Sequence, residues 1–312
     1  MGGDFAPGPI VDGAVAASRA TGGAIRLVGP PEVLERALAG VPDRDTLALV
    51  VVPAADAVGM HEAPAAALRR RPDASIRVAM QQVAGGLARA VVSAGSTGAT
   101  VMAARTVLGL IDRVDRPALA VIIPTSAGRA VLLDAGANAE CRPAHLVQFG
   151  VMGAVFAQIA LGQPRPRVGL LSIGEEEGKG NDLTREAHQR LKAAPVHFVG
   201  NVEARDVYAG VADVIVCDGF TGNVALKISE SLVDMIASVA GAALAADLLG
   251  RLDGAERGGA LLLGVRGVVI VGHGRSSAEQ VERAIVLARR FADGQLVERL
   301  SRGIGAIPEA AS

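Results

Sequence analysis

Val168-Gly-Leu-Leu-Ser-Ile-Gly-Glu-Glu-Glu-Gly-Lys-Gly-Asn181 sets an apolar run of strand length directly before a glycine-rich, charged turn. The run is apolar on both faces, as a strand must be when helices cover its sheet from either side. The same succession recurs along the chain. Ala90–Val92 leads into Ser93-Ala-Gly-Ser-Thr-Gly-Ala99, Ala130–Leu133 into Asp134-Ala-Gly-Ala-Asn138, and His197–Val199 into Gly200-Asn-Val-Glu203. Val214–Cys217 leads into Asp218-Gly-Phe-Thr-Gly-Asn223, and Val268–Val271 into Gly272-His-Gly-Arg-Ser276. Further strands are predicted at Ile25–Val28, Leu47–Val52 and Leu119–Ile123. Ala/Leu-rich stretches of helical spacing fill the intervals, so the alternation predicts an α/β fold: a three-layer α/β/α sandwich around a mostly parallel sheet.

Three helices are clearest. Ile10–Ala20 follows Pro7 and Pro9 and stops at Gly22-Gly23, with start and stop residues in their usual places. Pro143 opens a second, running to about Ile159 and apolar nearly all round; Gly150 and Gly153 allow close approach, which suits a core or a subunit interface. The final helix follows Ser276-Ser277, with Glu279 and Gln280 placed for a capping box and Val281, Ile285, Ala288, Ala292 and Leu296 at helical spacing. No repeat or Pro/Ser-rich linker divides the chain. Residues 1–312 read as a single domain, with the stretch around 230–260 as the one candidate for a small subdomain.

The totals exclude several functions. Net charge is -1, with six Phe, one Tyr and no Trp, so there is neither a field for nucleic acid nor an aromatic platform for bases. Cys141 and Cys217, the only cysteines, lack metal-ligand spacing and suit a reducing compartment. No basic segment leading into an apolar one marks the amino terminus, and Leu232–Gly250 is interrupted by Asp234 and Asp247. The expectation is a cytoplasmic protein.

In an open parallel sheet, ligands bind beyond the carboxyl ends of the strands. Six glycine-rich loops at strand ends are expected to converge there, turning backbone N–H groups toward an anion such as phosphate or a developing oxyanion. None matches the GxxxxGK[ST] nucleotide loop. Within the Gly174–Asn181 loop, Gly178, Lys179 and Asn181 are candidates, with Lys179 as phosphate ligand or oxyanion stabiliser; the alternative is that Lys179 pairs with Glu175–Glu177 at the surface. Asn223 and Lys227 lie four apart at a helix start, though Lys227 suits a solvated face equally well. His273 serves either to protonate a leaving group or to hydrogen-bond a neighbouring loop. Arg275 offers a planar fork for two anion oxygens, while Ser96, Thr97 and Asn138 supply side-chain donors. Asp4 and Asp218 would repel an anion and are read as loop-orienting. Cys217 ends an apolar strand and reads as a buried, inert thiol.

The stretches MGGDFAP, RPDASIRVAM, SAGSTGA, RPALAVIIP, LLDAGAN, LVQFGVMG, PRVGLLSIGEEEGKGN, GNVEARD, ADVIVCDGFTGN and GVVIVGHGRS resemble, in order and over essentially the full length, the bacterial phosphate acyltransferase family PlsX. The resemblance implies a homodimeric fold similar to phosphotransacetylases and isocitrate-dehydrogenase-like enzymes. It implies transfer of a fatty acyl group from acyl carrier protein to inorganic phosphate, giving acyl phosphate for phospholipid synthesis. No metal or organic cofactor is implied, and a membrane-bound glycerol-3-phosphate acyltransferase would take the product. The nearest rival is a phosphotransacetylase-like enzyme using acyl-CoA.

The chain departs from the family pattern in four places. It begins at the Met of Met-Gly-Gly-Asp, where the family carries a preceding short strand. Ser96 and Ser172 stand where asparagine is common. The stretch between Glu230 and Gly258 is short and lacks a lysine-rich amphipathic hairpin; residues 235–258 hold Arg251 and Arg257 against Asp247, Asp253 and Glu256, besides no other charge. At most weak membrane association is therefore expected. Ala260-Leu-Leu-Leu-Gly264 has leucine where the family has proline.

Overall fold

The computed structural model describes residues 1–240 and 258–308. Among the described residues there are ten strands: β1 Ile25–Gly29, β2 Leu49–Pro53, β3 Ala90–Ser93, β4 Ala118–Thr125, β5 Gly128–Leu133, β6 Arg167–Leu171, β7 His197–Val202, β8 Val214–Val216, β9 Ala260–Leu263 and β10 Val268–Val271. The α-helices are α1 Gly8–Thr21, α2 Pro31–Leu38, α3 Pro64–Arg70, α4 Ser75–Ala84, α5 Thr97–Ala103, α6 Pro143–Ala160, α7 Asp182–Ala193, α8 Gly219–Ala240, α9 Ala278–Asp293 and α10 Leu296–Gly305. This is the α/β class expected, with mostly parallel pairing.

Contacts divide the chain into two compact units, the first holding residues 1–109 and the described residues 258–294, the second residues 110–240 and 295–308. The crossings fall at Gly109/Leu110 and Gly294/Gln295, inside the run of strands and helices. That is why no linker composition marks them.

In the first unit β1 pairs with β2, and β3 with β10, both in parallel; β9 lies antiparallel against β10. The Ala260-Leu-Leu-Leu stretch, which patterning did not flag as a strand, is β9, its leucines buried. Val11, Ala14, Val15, Leu27, Leu34 and Leu38 form a core beneath β1. The capping box of α9 is made: Ser277 Oγ accepts from Gln280 N at 3.3 Å and Gln280 Oε1 accepts from Ser277 N at 3.0 Å. The single final helix predicted through Leu296 is two. Chain direction changes at Gly294 and at Gln295, whose φ is 51°, so α9 ends at Asp293 and α10 starts at Leu296.

In the second unit the strand order is β4-β5-β8-β6-β7, antiparallel only at the β4–β5 hairpin. The period of two sorts its side chains. Ala130, Leu132, Ile215 and Cys217 bury on one face with Ile123, Leu171 and Val202. Leu133, Val168, Val214 and Val216 face α6. That helix is apolar and long enough to cross a membrane, yet 67% of it is buried inside the protein, so it is the core helix of its unit. Its glycines are there for contact: a Cβ on Gly153 would lie 2.6 Å from Val214 Cγ1, and one on Gly150 3.0 Å from Leu191 Cδ2. Of the candidate subdomain around 230–260, residues 241–257 lie outside the described residues.

Gly153→Val is expected to lower stability by about 1–3 kcal/mol, the usual cost of overpacking, seen as a lower denaturation midpoint at unchanged m. An unchanged midpoint would show that α6 can move off the sheet freely.

Candidate functional site

At the carboxyl ends of β5 and β8, the second unit is organised by Asp134, a carboxylate with no exposed surface. Its Oδ1 accepts from the N–H groups of Leu119 at 3.0 Å, Gly136 at 3.0 Å and Ala137 at 2.9 Å. Its Oδ2 accepts from Asn138 N and Asn138 Nδ2, each at 2.8 Å. Burial pushes the carboxyl pKa up, against the pull of these donors. Asn138 gives its other amide hydrogen to Pro117 O at 2.7 Å and is itself buried. Both its donors thus hold the loop together.

The Asp218–Asn223 stretch, expected as a loop, is Asp218 followed by the first turn of α8, and it locks onto this frame. Gly219 N donates to Asn138 O at 2.8 Å, and Asn223 Nδ2 donates to Ala135 O at 3.4 Å. Gly222 must be glycine, since a Cβ there would sit 1.9 Å from Asp134 O. Asp218 orients the loop as expected of it, accepting from Thr221 N at 2.8 Å and Thr221 Oγ1 at 2.9 Å. Asn223 is exposed. Lys227 is paired with Glu230 on the exposed face of α8 at 2.7 Å, the solvated-face alternative.

Beyond β6 stands the Gly174–Asn181 loop. Two of its three glutamates are engaged away from its lysine. Glu175 pairs with Arg205 at 3.0 Å, and Glu177 with Lys192 at 2.5 Å and with Gln189. Lys192 and Gln189 hold the Glu177 carboxyl below the usual range. Lys179 is exposed, and its ammonium has no ion pair among the described residues. The lysine is fixed through its backbone: Lys179 N donates to Glu176 O at 3.0 Å and Lys179 O accepts from Ser172 Oγ at 3.4 Å. Gly178 is open to solvent, and Asn181 Oδ1 caps α7 by accepting from Thr184 N at 2.9 Å.

Two residues that sequence reasoning did not single out hold this loop. Asn201, buried at the end of β7, donates from Nδ2 to Glu176 O at 2.9 Å. Its Oδ1 is 2.8 Å from Nδ1 of buried His188 on α7, which fixes the proton on that nitrogen. Asn201 lies in the Gly200–Glu203 stretch flagged as a loop, of which Gly200–Val202 instead continues β7 in register with β6; His188 carries no signal beyond being a histidine on the buried face of a helix.

The first unit gathers its own loops at the carboxyl ends of β3 and β10. Gly272 N donates to Ser93 O at 2.7 Å and Asp4 N to Gly274 O at 2.8 Å, so Met1–Asp4, Ser93–Ala99 and Gly272–Ser276 meet. Ser96 is buried and caps α5, its Oγ 3.4 Å from Ala99 N; Thr97 next to it is exposed. His273 is exposed, and its Nδ1 accepts from Arg275 N at 3.3 Å. A neutral imidazole so placed carries its hydrogen on Nε2. Arg275 is 75% exposed and only 3.8 Å from Asp4 Oδ2, so its fork remains largely available. Of the residues expected at one site, Ser96, Thr97, His273 and Arg275 therefore group in the first unit. Asn138, Gly178, Lys179, Asn181, Asn223 and Lys227 belong to the second.

Residues 1–299 match the family described as fatty acid synthesis protein. The chain is 45% identical to a phosphate acyltransferase of Nitratidesulfovibrio vulgaris, over 99% of this chain and 94% of that one. It is 48% identical to a phosphate acyltransferase of Heliobacterium modesticaldum, over 93% and 91%. Among solved structures, a phosphotransacetylase from Streptococcus pyogenes matches with TM-score 0.65 at 20% identity, covering 92% of this chain and 93% of that one. A branched-chain phosphotransacylase from Enterococcus faecalis matches with TM-score 0.53 at 17% identity, covering 86% and 99%. At these identities the two structures speak for the fold alone.

The thiols give a test of their own. Burial pushes Cys217 well above the ordinary thiol range, and burial with the nearby Asp134 charge pushes Cys141 up to about 12. A shift from 9.0 to about 12 leaves Cys141 with about 10³-fold less thiolate at neutral pH. Iodoacetamide at pH 7 is expected to leave both cysteines unmodified in the folded protein, with Cys141 labelling only as pH approaches its pKa. Rapid alkylation at pH 7, read by mass spectrometry, would place a thiolate where the structure shows none.

Proposed function

Since the chain belongs to the phosphate acyltransferase family of fatty acid synthesis proteins, we propose that it moves a fatty acyl group from acyl carrier protein to inorganic phosphate, releasing acyl phosphate for phospholipid synthesis. The observation that supports this reading best is Lys179: a cation without an ion pair among the described residues, in a loop whose Glu175 and Glu177 are paired elsewhere. An anionic substrate is the partner such a lysine lacks.

A phosphate oxygen attacks the thioester carbonyl carbon; the new C–O bond forms, the C–S bond breaks, and the sulfur departs and takes up a proton. No protein nucleophile is required, because a thiol is a good leaving group. What the reaction requires is an anion held in attack geometry and charge stabilisation at the carbonyl oxygen. We assign charge stabilisation to Lys179, with the open backbone of Gly178 and the side-chain N–H groups of Asn181 and Asn223 as further donors. On the first unit's own loops, the fork of Arg275 suits an anion such as phosphate and the Nε2–H of His273 is a proton donor of the kind a departing thiolate needs. Ser96 and Asn138 act by holding their loops, the exposed hydroxyl of Thr97 is a further donor, and Lys227 contributes when it leaves Glu230.

The proposal extends to a cytoplasmic homodimer. Phe220, Val224, Ile228, Leu232, Met235 and Val239 are all at least 41% exposed and recur at helical spacing, which makes one side of α8 an apolar stripe. A second copy is the occupant proposed here, and a membrane-bound glycerol-3-phosphate acyltransferase is the proposed recipient of the product. With two Arg against three acidic residues over 235–258, attraction to an anionic bilayer is weak.

Purified protein mixed with long-chain acyl carrier protein and phosphate should yield acyl phosphate, trapped as hydroxamate. Product from acyl-CoA alone would transfer the proposal to that donor. In the same assay Lys179→Ala should lose roughly 10²-fold or more in turnover, the cost of one oxyanion or phosphate donor, while circular dichroism stays unchanged. Near-normal turnover would remove Lys179 from the chemistry.

A further inference from the structure

The carboxyl end of β7 holds Lys179 from both sides. On the amino side, Lys179 N donates to Glu176 O at 3.0 Å, and Asn201 Nδ2 donates to that same oxygen at 2.9 Å. On the carboxyl side, Lys179 O accepts from Ser172 Oγ at 3.4 Å, and Ser172 N donates in turn to Val202 O at 2.9 Å. The neighbours Asn201 and Val202 thus reach both main-chain polar groups of the lysine. Its surroundings are confined as well. A Cβ on Gly174 would lie 2.8 Å from Lys179 Cγ, and one on Gly180, whose φ is 101°, would lie 2.8 Å from Ser172 Oγ.

Asn201 is itself fixed from α7. Its Oδ1 accepts from His188 Nδ1 at 2.8 Å, and the His188 ring stands edge-on to Phe198 with centroids 5.0 Å apart and planes at 79°. His188 and Asn201 are 4% and 8% exposed. These contacts close a ring: Asn181 caps α7, His188 lies further along its buried face, and Asn201 returns from there to the Glu176 carbonyl. Packing does not call for a polar pair at this place. Ala187 and Leu191 are fully buried, and a Cβ on Gly150 would sit 3.0 Å from Leu191 Cδ2, so apolar contact already seats α7 on α6. A buried amide and imidazole add a desolvation cost that only well-made hydrogen bonds offset. What those bonds achieve is a fixed carbonyl at the root of the loop's lysine.

We propose that Asn201 and His188 are positioning residues for Lys179, holding the Glu176 carbonyl so that the lysine's main chain keeps one place at the sheet edge. Neither residue touches substrate; His188 acts through Asn201, and Asn201 through the carbonyl. The inference rests on the reading of Lys179 as the charge-stabilising cation, and it assigns the geometry of that cation to two residues outside its loop. A lysine stem carries much rotamer freedom, so a fixed root is what narrows the space its ammonium samples. Misplacing a reacting group by about 1 Å costs as much as about 10²-fold in rate.

The test measures acyl phosphate formation by Asn201→Ala, His188→Phe and His188→Asn, each alone and combined with Lys179→Ala, on whichever of acyl carrier protein thioester or acyl-CoA the unaltered chain accepts. Asn201→Ala and His188→Phe should lower kcat by about tenfold or more while KM for phosphate changes by less than about threefold. His188→Asn, which keeps an N–H near the place of Nδ1, should recover most of that loss. With Lys179→Ala already present, the same substitutions should cost no further turnover, because no ammonium is left to place. Additive losses would mean that the pair acts on the fold alone, and they overturn the proposal. So does near-normal kcat in Asn201→Ala when Lys179→Ala is impaired. Near-normal turnover of Lys179→Ala, or none by the unaltered chain, strikes the reading of the lysine itself, and the positioning role falls with it. If Asn201→Ala does not fold, Asn201→Asp is read in its place, since it keeps the acceptor for His188 and lacks the donor to Glu176 O.

Discussion

Four main-chain N–H groups and the Asn138 amide converge on the buried Asp134 carboxylate, and the second unit's loops take their positions from that convergence. An ionised carboxylate in an apolar interior is unfavourable unless donors surround it. Here the donors come from the loop that the carboxylate itself begins, and from Leu119 on the neighbouring strand. Removing the acid would strand several buried N–H groups at once, so the loop cannot relax one contact at a time. Gly219 and Gly222 follow from the same constraint. The Asp218–Asn223 loop packs so closely on this frame that Asp134 O and Asn138 O leave no room for a Cβ at either position.

The opposite end of the sheet is held by a different device. Arg167 reaches Asp213 through Nε at 3.0 Å and NH2 at 2.9 Å, and Arg167 N donates to the same carboxylate at 2.8 Å. Burial raises the Asp213 pKa but Arg167 outweighs it, and the net direction is down. A carboxyl held below its unfolded pKa adds stability above that value and loses it as pH falls through the folded one. The amino edge of the sheet thus spends its cation on a structural pair. On the carboxyl edge Lys179 has no ion pair among the described residues, while Arg205 and Lys192 pair with Glu175 and Glu177. Surface pairs of that kind add little stability; what they do here is take two carboxylates away from the lysine.

Most of the architecture was legible because its signals are local. Apolar runs ended by Gly and Asp gave nine strands within a few residues, and Ser277 with Gln280 gave the start of α9. β9 escaped because Ala260-Leu-Leu-Leu carries no β-branched residue, unlike the equally short Val268–Val271. The split at Gln295 escaped because the apolar spacing continues in phase across it. In the site, the loops were legible and the roles within them less so. Asn138 looked like a donor to substrate, yet it is a buried member of the Asp134 network. That distinction depends on Pro117, far away in sequence. His188 and Asn201 show the same limit: their pairing across 13 residues joins a helix to a strand end, and no spacing rule foretells it.

The placement of the thiols bears on which chemistry the chain can perform. Cys217 is buried beneath Asp134, its Sγ 3.6 Å from Asp134 O, and Cys141 Sγ lies 3.7 Å from Asn138 O. Both face carbonyl oxygens and a carboxylate, surroundings that oppose a thiolate in addition to burial, the larger cause. An acyl-cysteine route would need to overcome both terms before its first step. A route in which phosphate attacks the thioester needs only donors and cations, and Lys179 is a cation with no ion pair among the described residues. The same carboxylate that organises the loop therefore also disfavours the competing nucleophile. One buried carboxylate thus both fixes the loop and opposes a thiolate beside it.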